Sequence, residues 1–210
     1  MFCAETFIIL NRMKEAEAHL NICVPLAEKY SLANYLIPAK IMQGLVRVLR
    51  GEVEDGVRQA EAALETLKSF PSRRIRLPIR IGIVGLTRAA AGDIDGALAH
   101  FVSALEAAST AGERWYEPEL LRFKAEMLLA LPDQRANEAE QCLRAAIALA
   151  QQQEAQFWEL RAAVALAKLW ARQGRRDEGR ELLAPCYARF TEGFDTADLK
   201  EAKTLLDTLT

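Results

Sequence analysis

Along the C-terminal segment, Leu199, Ala202, Leu205, Leu206 and Leu209 share one helical face, with polar residues between them. Segments with the same helical period fill most of the chain, and short turns rich in Gly and acid separate them. The turn reads Gly51-Glu52-Val53-Glu54-Asp55-Gly56, then Gly92-Asp93-Ile94-Asp95-Gly96-Ala97, then Gly174-Arg175-Arg176-Asp177-Glu178-Gly179. Gly just past a helix end tolerates the left-handed conformation. An acid in the next helix's first turn meets the positive end of its dipole. Asn11-Arg12-Met13-Lys14-Glu15-Ala16 is a fainter copy, and the stretch from Leu131 to Ala139 is a slightly longer one.

Small residues recur in step with the turns. Ala16, Gly56, Ala97, Ala139 and Gly179 follow one another at a nearly constant interval, once per turn. In the preceding helices Gly44, Gly85, Ala125 and Ala167 hold one slot; Cys23, Ala63, Ala104, Ala146 and Cys186 hold another, seven residues beyond the first series. Small residues at fixed places on two successive helices let their backbones approach closely, as a repeated helical hairpin requires. Pro38, Pro78 and Pro118 recur near the starts of first helices, where a missing N–H costs nothing. The phase predicts first helices at 34–50, 76–91, 115–130 and 156–173, and second helices at 14–30, 54–69, 94–110, 137–153 and 176–191. Residues 69–74 read as a break.

The predicted fold is all-α: a right-handed α-solenoid of about five hairpins in one repeat domain. The units are 1–31, 32–71, 72–111, 112–154 and 155–192, with a capping helix over 194–209. A short first helix, Phe2 to Asn11, carries Phe2, Phe7, Ile8, Ile9 and Leu10. That apolar end is expected to meet something upstream, or a partner, self-association included.

Composition agrees with helices and narrows the function. Of 210 residues 51% are hydrophobic and 27% charged, with 11 Gly and 7 Pro, too few for the turns of a β-sandwich. Lys and Arg total 27 against 29 Asp and Glu, a net charge of −2 that argues against nucleic acid or anionic membrane as a bulk partner. No stretch free of these four residue types exceeds ten residues, so no membrane span is expected. Cys3, Cys23, Cys142 and Cys186 show no metal-ligand spacing and read as small apolar residues in a reducing cytoplasm.

Candidate chemistry is sparse. His19 and His100 share a repeat position with Cys142, which favours a structural role, and no nucleophile constellation accompanies them. Trp115, Tyr116, Phe157 and Trp158 are expected to pack between units, with anchoring of a peptide as the alternative. Two basic clusters, Arg73, Arg74, Arg76, Arg80 and Arg172, Arg175, Arg176, Arg180, read first as solvated faces. No cofactor and no catalytic or metal residue is predicted.

The third unit, with Val84-Gly85 and then Gly92-Asp93-Ile94-Asp95-Gly96-Ala97-Leu98-Ala99-His100-Phe101 and Ala104-Leu105, resembles a tetratricopeptide repeat. The period is longer than is usual in that family, and HEAT-type repeats are the fold-level alternative. The string from Gly112-Glu113-Arg114-Trp115-Tyr116-Glu117-Pro118 to Leu129 is more specific. So is the run from Glu159-Leu160-Arg161 to Phe190-Thr191-Glu192-Gly193-Phe194-Asp195 and Lys200. Both resemble the C-terminal repeat region of bacterial multidomain signalling proteins. In those, a class III adenylate/guanylate cyclase or winged-helix domain precedes a STAND-type NTPase and a tetratricopeptide tail. The resemblance covers residues 80–210 and implies the tail alone, with no P-loop and no cyclase half to carry catalysis. It implies a non-catalytic scaffold that binds a protein, a peptide or neighbouring domains of the same polypeptide. The alternative is a fragment of an enzyme whose catalytic domains are absent.

In such a solenoid the first helices line a concave groove. Its predicted lining includes Ile41, Leu45, Val48 and Leu86 in an apolar half, and Arg122, Glu126, Arg161, Lys168 and Arg172 in a charged half. Chaperone-binding relatives hold Asn beside the small slot as part of a carboxylate clamp. Here Leu45, Leu86, Glu126 and Lys168 stand there, so the resemblance does not extend to that clamp. A ligand with an apolar and an acidic end suits the groove.

Overall fold

The computed structural model describes residues 1–70, 75–133 and 135–209. Among them it holds eleven α-helices and no strand. The helices are α1 (Phe2–Ile9), α2 (Met13–Lys29), α3 (Ala33–Leu49), α4 (Val53–Lys68), α5 (Leu77–Ala90), α6 (Ile94–Ala111), α7 (Glu117–Ala130), α8 (Ala136–Gln152), α9 (Gln156–Arg172), α10 (Arg176–Ala188) and α11 (Ala197–Thr208). None is long and apolar enough to cross a membrane.

The turns end their helices as the Gly pattern implies. Gly51, Gly92 and Gly174 take φ of +93°, +85° and +80°. In each case the following residue closes the helix with a bond back to the carbonyl five positions earlier: Glu52 to Arg47, Asp93 to Arg88 and Arg175 to Trp170. Asn11 does the same work at φ +54° in the fainter copy, where Arg12 N–H donates to the Phe7 carbonyl at 2.7 Å. The helices that follow carry acids in their first turns, Glu15, Glu54, Asp55, Asp95, Glu138, Asp177 and Glu178.

Asp93 caps α6 directly. The Gly96 N–H donates to its Oδ1 at 2.9 Å, and Arg88 joins it to Glu61 of α4. The Gly96 N–H first, and Arg88 second, hold the Asp93 carboxyl below its ordinary value. Its contribution to stability is therefore complete above the ordinary value of 3.8 and fades as pH falls through the lower folded value. Asp93→Ala is expected to cost about 1 kcal/mol, while Asp93→Asn, an equally good cap, loses much less. Urea denaturation at pH 7 separates the two.

The small-residue slots are where helices touch. A Cβ on Gly44 would lie 2.6 Å from the Gly56 carbonyl oxygen, and a Cβ on Gly56 would lie 2.6 Å from that of Gly44. At Gly85 it would meet the Phe101 ring at 3.0 Å, and at Gly179 the Ala167 backbone at 3.3 Å. Ala16, Ala60, Ala97, Ala104, Ala125, Ala139, Ala146 and Ala167 are completely buried.

The chain forms two compact units, Met1–Ala111 and Gly112–Thr210, divided at a predicted hairpin boundary. In the first, α3 packs on α4 and α5 on α6, while α3 also meets α2 and α5. In the second, α7 packs on α8 and α9 on α10, α9 also meets α7 and α8, and α11 lies on α9 and α10. Within each unit, a first helix thus faces its own partner and the next first helix, and α11 takes the neighbouring place beside α9.

Some details differ from the expectation: the capping helix α11 begins at Ala197, three residues after the predicted start. Pro78 and Pro118 fall in the first two residues of α5 and α7, but Pro38 lies inside α3, more than a turn past its start at Ala33. Helix α10 stops at Ala188, three residues short of the predicted end. The predicted break is seen where α4 ends and Ser69 caps it, while its residues 71–74 lie outside the described residues.

Candidate partner-binding surface

In the second unit the predicted charged residues come together. Glu119 on α7 is 1% exposed and sits between two guanidinium groups. Arg122 Nε and Nη2 both donate to its carboxylate at 2.8 Å, and Arg161 Nη1 of α9 donates at 2.8 Å. Arg161 also forks onto Asp198 of α11, at 2.6 Å and 3.2 Å. Arg122 pairs with Glu126, and Lys168 with Glu201 of α11. One array of alternating charge therefore crosses α7, α9 and α11.

Electrostatics follow from this enclosure. Burial pushes Glu119 up, but Arg122 and Arg161 outweigh it and hold the carboxyl below the ordinary range. Glu126 goes the other way: burial raises it, Arg122 offsets only part, and the nearby Glu119 charge adds to the rise. Desolvation would release the Arg122 proton, yet Glu119 and Glu126 raise its pKa instead.

Beside the array is an open cleft of about 310 Å³ between α7, α8 and α9. Ala125, Leu129 and Ala130 of α7, Leu143 of α8, and Ala165 and Leu169 of α9 line it, with Glu126, Lys168 and Arg172 among them. Arg172 is exposed, and among the described residues no carboxylate pairs with it.

The apolar half of the predicted groove is placed differently. Ile41 and Leu45 are 0% and 3% exposed and Val48 is buried too; they belong to the core. Helix α3 packs on α2, α4 and α5 at once, which leaves it no broad open face. Leu86 is half-buried.

The aromatic and histidine candidates lie among packed helices, with Trp115 itself exposed. Tyr116 meets Trp158 edge-on at 5.5 Å, Trp115 lies 5.3 Å from Tyr116, and Phe157 lies 5.1 Å from Trp158 with Arg161 over it at 4.4 Å. Of these contacts, Tyr116 on Trp158 is the one expected between hairpins. His19 stacks on Phe7 at 5.2 Å, and His100 Nδ1 lies 2.8 Å from the Gly96 carbonyl. Burial, then Glu159, pushes the Cys186 thiol up to about 11, so it stays a thiol at neutral pH. Among the described residues no group of three His, Cys, Asp or Glu side chains could hold a metal.

Of the first basic cluster, Arg73 and Arg74 lie outside the described residues. Arg76 pairs with the buried Glu5 of α1, and Arg80 is itself buried, donating to the Ile75 carbonyl at 2.6 Å. They are not a solvated face. In the second cluster Arg175 pairs with Glu140 and Glu178 and covers Trp170 at 4.6 Å, while Arg172, Arg176 and Arg180 are exposed.

Glu119, Asp198 and Glu201 join the predicted residues as their partners and are not among the residues expected from the sequence. For Glu119 the signal was present: it stands one repeat period before Arg161, as Glu126 stands before Lys168. Opposite charges one repeat apart on first helices fall side by side.

No protein-family model matches the chain, and no curated protein matches it. Among solved structures, the crystal structure of BtubC (BKLC) from P. vanneervenii matches with a TM-score of 0.70. The match covers 91% of this chain and 87% of that one at 15% identity. At that identity the likeness is one of fold.

Proposed function

We propose that the chain is a non-catalytic interaction scaffold, its hairpins being tetratricopeptide-like turns of a right-handed α-solenoid. On this reading it serves as the sensing or docking tail of a larger bacterial signalling protein. Its partner is a protein, a peptide or an adjacent domain, and its setting is cytoplasmic. The observation that supports this most is the row α7–α9–α11, whose side-by-side helices spend their charges on one another and leave a lined cleft open to solvent. A repeated surface of this kind recognises by shape and charge rather than by a reacting group.

The test uses the immobilised full chain. Reproducible capture of one protein, competed by free chain, is the expected result. Turnover of ATP or GTP by the purified chain, without such a partner, would overturn the reading in favour of an enzyme fragment.

A further inference from the structure

We infer that the α7–α8–α9 cleft takes a partner peptide through one bulky apolar side chain with a carboxylate beside it, the carboxylate meeting Arg172; this rests on the scaffold reading above. The shape comes first. A volume of about 310 Å³ is at the small end of ligand pockets and suits one or two side chains, not a cofactor. Ala125, Leu129, Ala130 and Ala165 give it apolar walls whose small members leave the room.

Charge decides the rest. Three charged groups line the cleft, and two are already neutralised within the unit: Glu126 by Arg122 and Lys168 by Glu201. Arg172 remains. It is the last residue of α9 and stands exposed at the edge of the cleft. A carboxylate arriving with the apolar side chain supplies the one charge this corner lacks, and a guanidinium receives it in a forked geometry. A basic peptide would instead meet Arg172 and Lys168 together.

The probe is N-acetyl-leucyl-glutamate amide, compared with the glutamine version, titrated into the full chain and followed by amide NMR shifts. Short, flexible ligands of this size bind weakly, because ordering them offsets much of the contact energy. Shifts are expected to gather on residues 125–130 and 165–172, with the glutamate probe about threefold tighter at low salt, the strength of an exposed ion pair. Arg172→Gln is expected to erase that preference while leaving the weaker apolar binding. Ala130→Leu, at an exposed position on the cleft edge, fills the space and weakens both probes without lowering the melting temperature. The inference is overturned if those amides stay still with both probes, or if Arg172→Gln keeps the preference. Still amides alongside a captured partner would remove this cleft and leave the scaffold standing; no partner at all would remove the scaffold.

Discussion

Gly56→Ala is expected to destabilise the protein by about 3 kcal/mol, while Gly179→Ala, in the same repeat slot, changes stability by at most about 0.5 kcal/mol. In both helices Ala is the better helix former by about 1 kcal/mol. The difference is therefore steric. The new Cβ at Gly56 would stand 2.6 Å from the Gly44 carbonyl oxygen, 2.7 Å from Val48 Cγ2 and 2.9 Å from the Val48 nitrogen. Two of those atoms are backbone, so α3 and α4 must separate along their shared face. At Gly179 the nearest atoms are 3.3 Å and 3.4 Å away, a gap that a small shift relieves. Thermal melts followed by circular dichroism should show a fall of about 10 °C for Gly56→Ala and almost none for Gly179→Ala. Equal effects would mean that the hairpins do not close on these slots.

The second large effect is expected at Arg161. Replacing it by Ala leaves Glu119 buried with Arg122 as its remaining partner and strips Asp198 of its fork. Breaking a buried pair by removing one member costs about 3 kcal/mol, because the charge left behind is not resolvated. Arg161→Lys is expected to recover little, since an ammonium cannot reach Glu119 and both Asp198 oxygens in one plane. The same array sets the acid limit. Glu119 has a folded pKa below the ordinary 4.5, so it stabilises the fold above that value and loses this contribution as pH falls through the lower one. Glu159 behaves likewise: its burial is outweighed by bonds from Gln151 and Arg189. In the first unit Glu5 has the opposite sign, because burial outweighs Arg76 and Arg80 and protonation favours the folded form. Urea midpoints measured between pH 7 and pH 3 should therefore fall for the wild type, and fall less for Arg161→Ala, which has already lost one of the two guanidinium groups that hold Glu119 ionised.

Helix ends were the most legible feature. Apolar period and turn glycines are local, and the bond from Glu52 back to Arg47, or from Asp93 back to Arg88, needs nothing from the rest of the molecule. Close approach was legible because it repeats: Gly44 and Gly56 stand in slots that recur once in every hairpin. Exposure was less so. Ile41 and Leu45 have the right phase for a groove, but a helix packed on three neighbours has no spare face, and neighbour number is a property of the assembly. The charge array is half legible in the sequence. The repeat phase places Arg122, Glu126, Arg161, Lys168 and Arg172 on first helices, whereas the acidic partners on α11 belong to a segment that departs from the repeat.

Amide hydrogen exchange of the full chain, alone and in complex with its captured partner, tests most directly whether the hairpin faces are the working surface. Slowed exchange in α7 and α9 on complex formation is the predicted result. A stable complex that leaves both helices exchanging as in the free chain would contradict it.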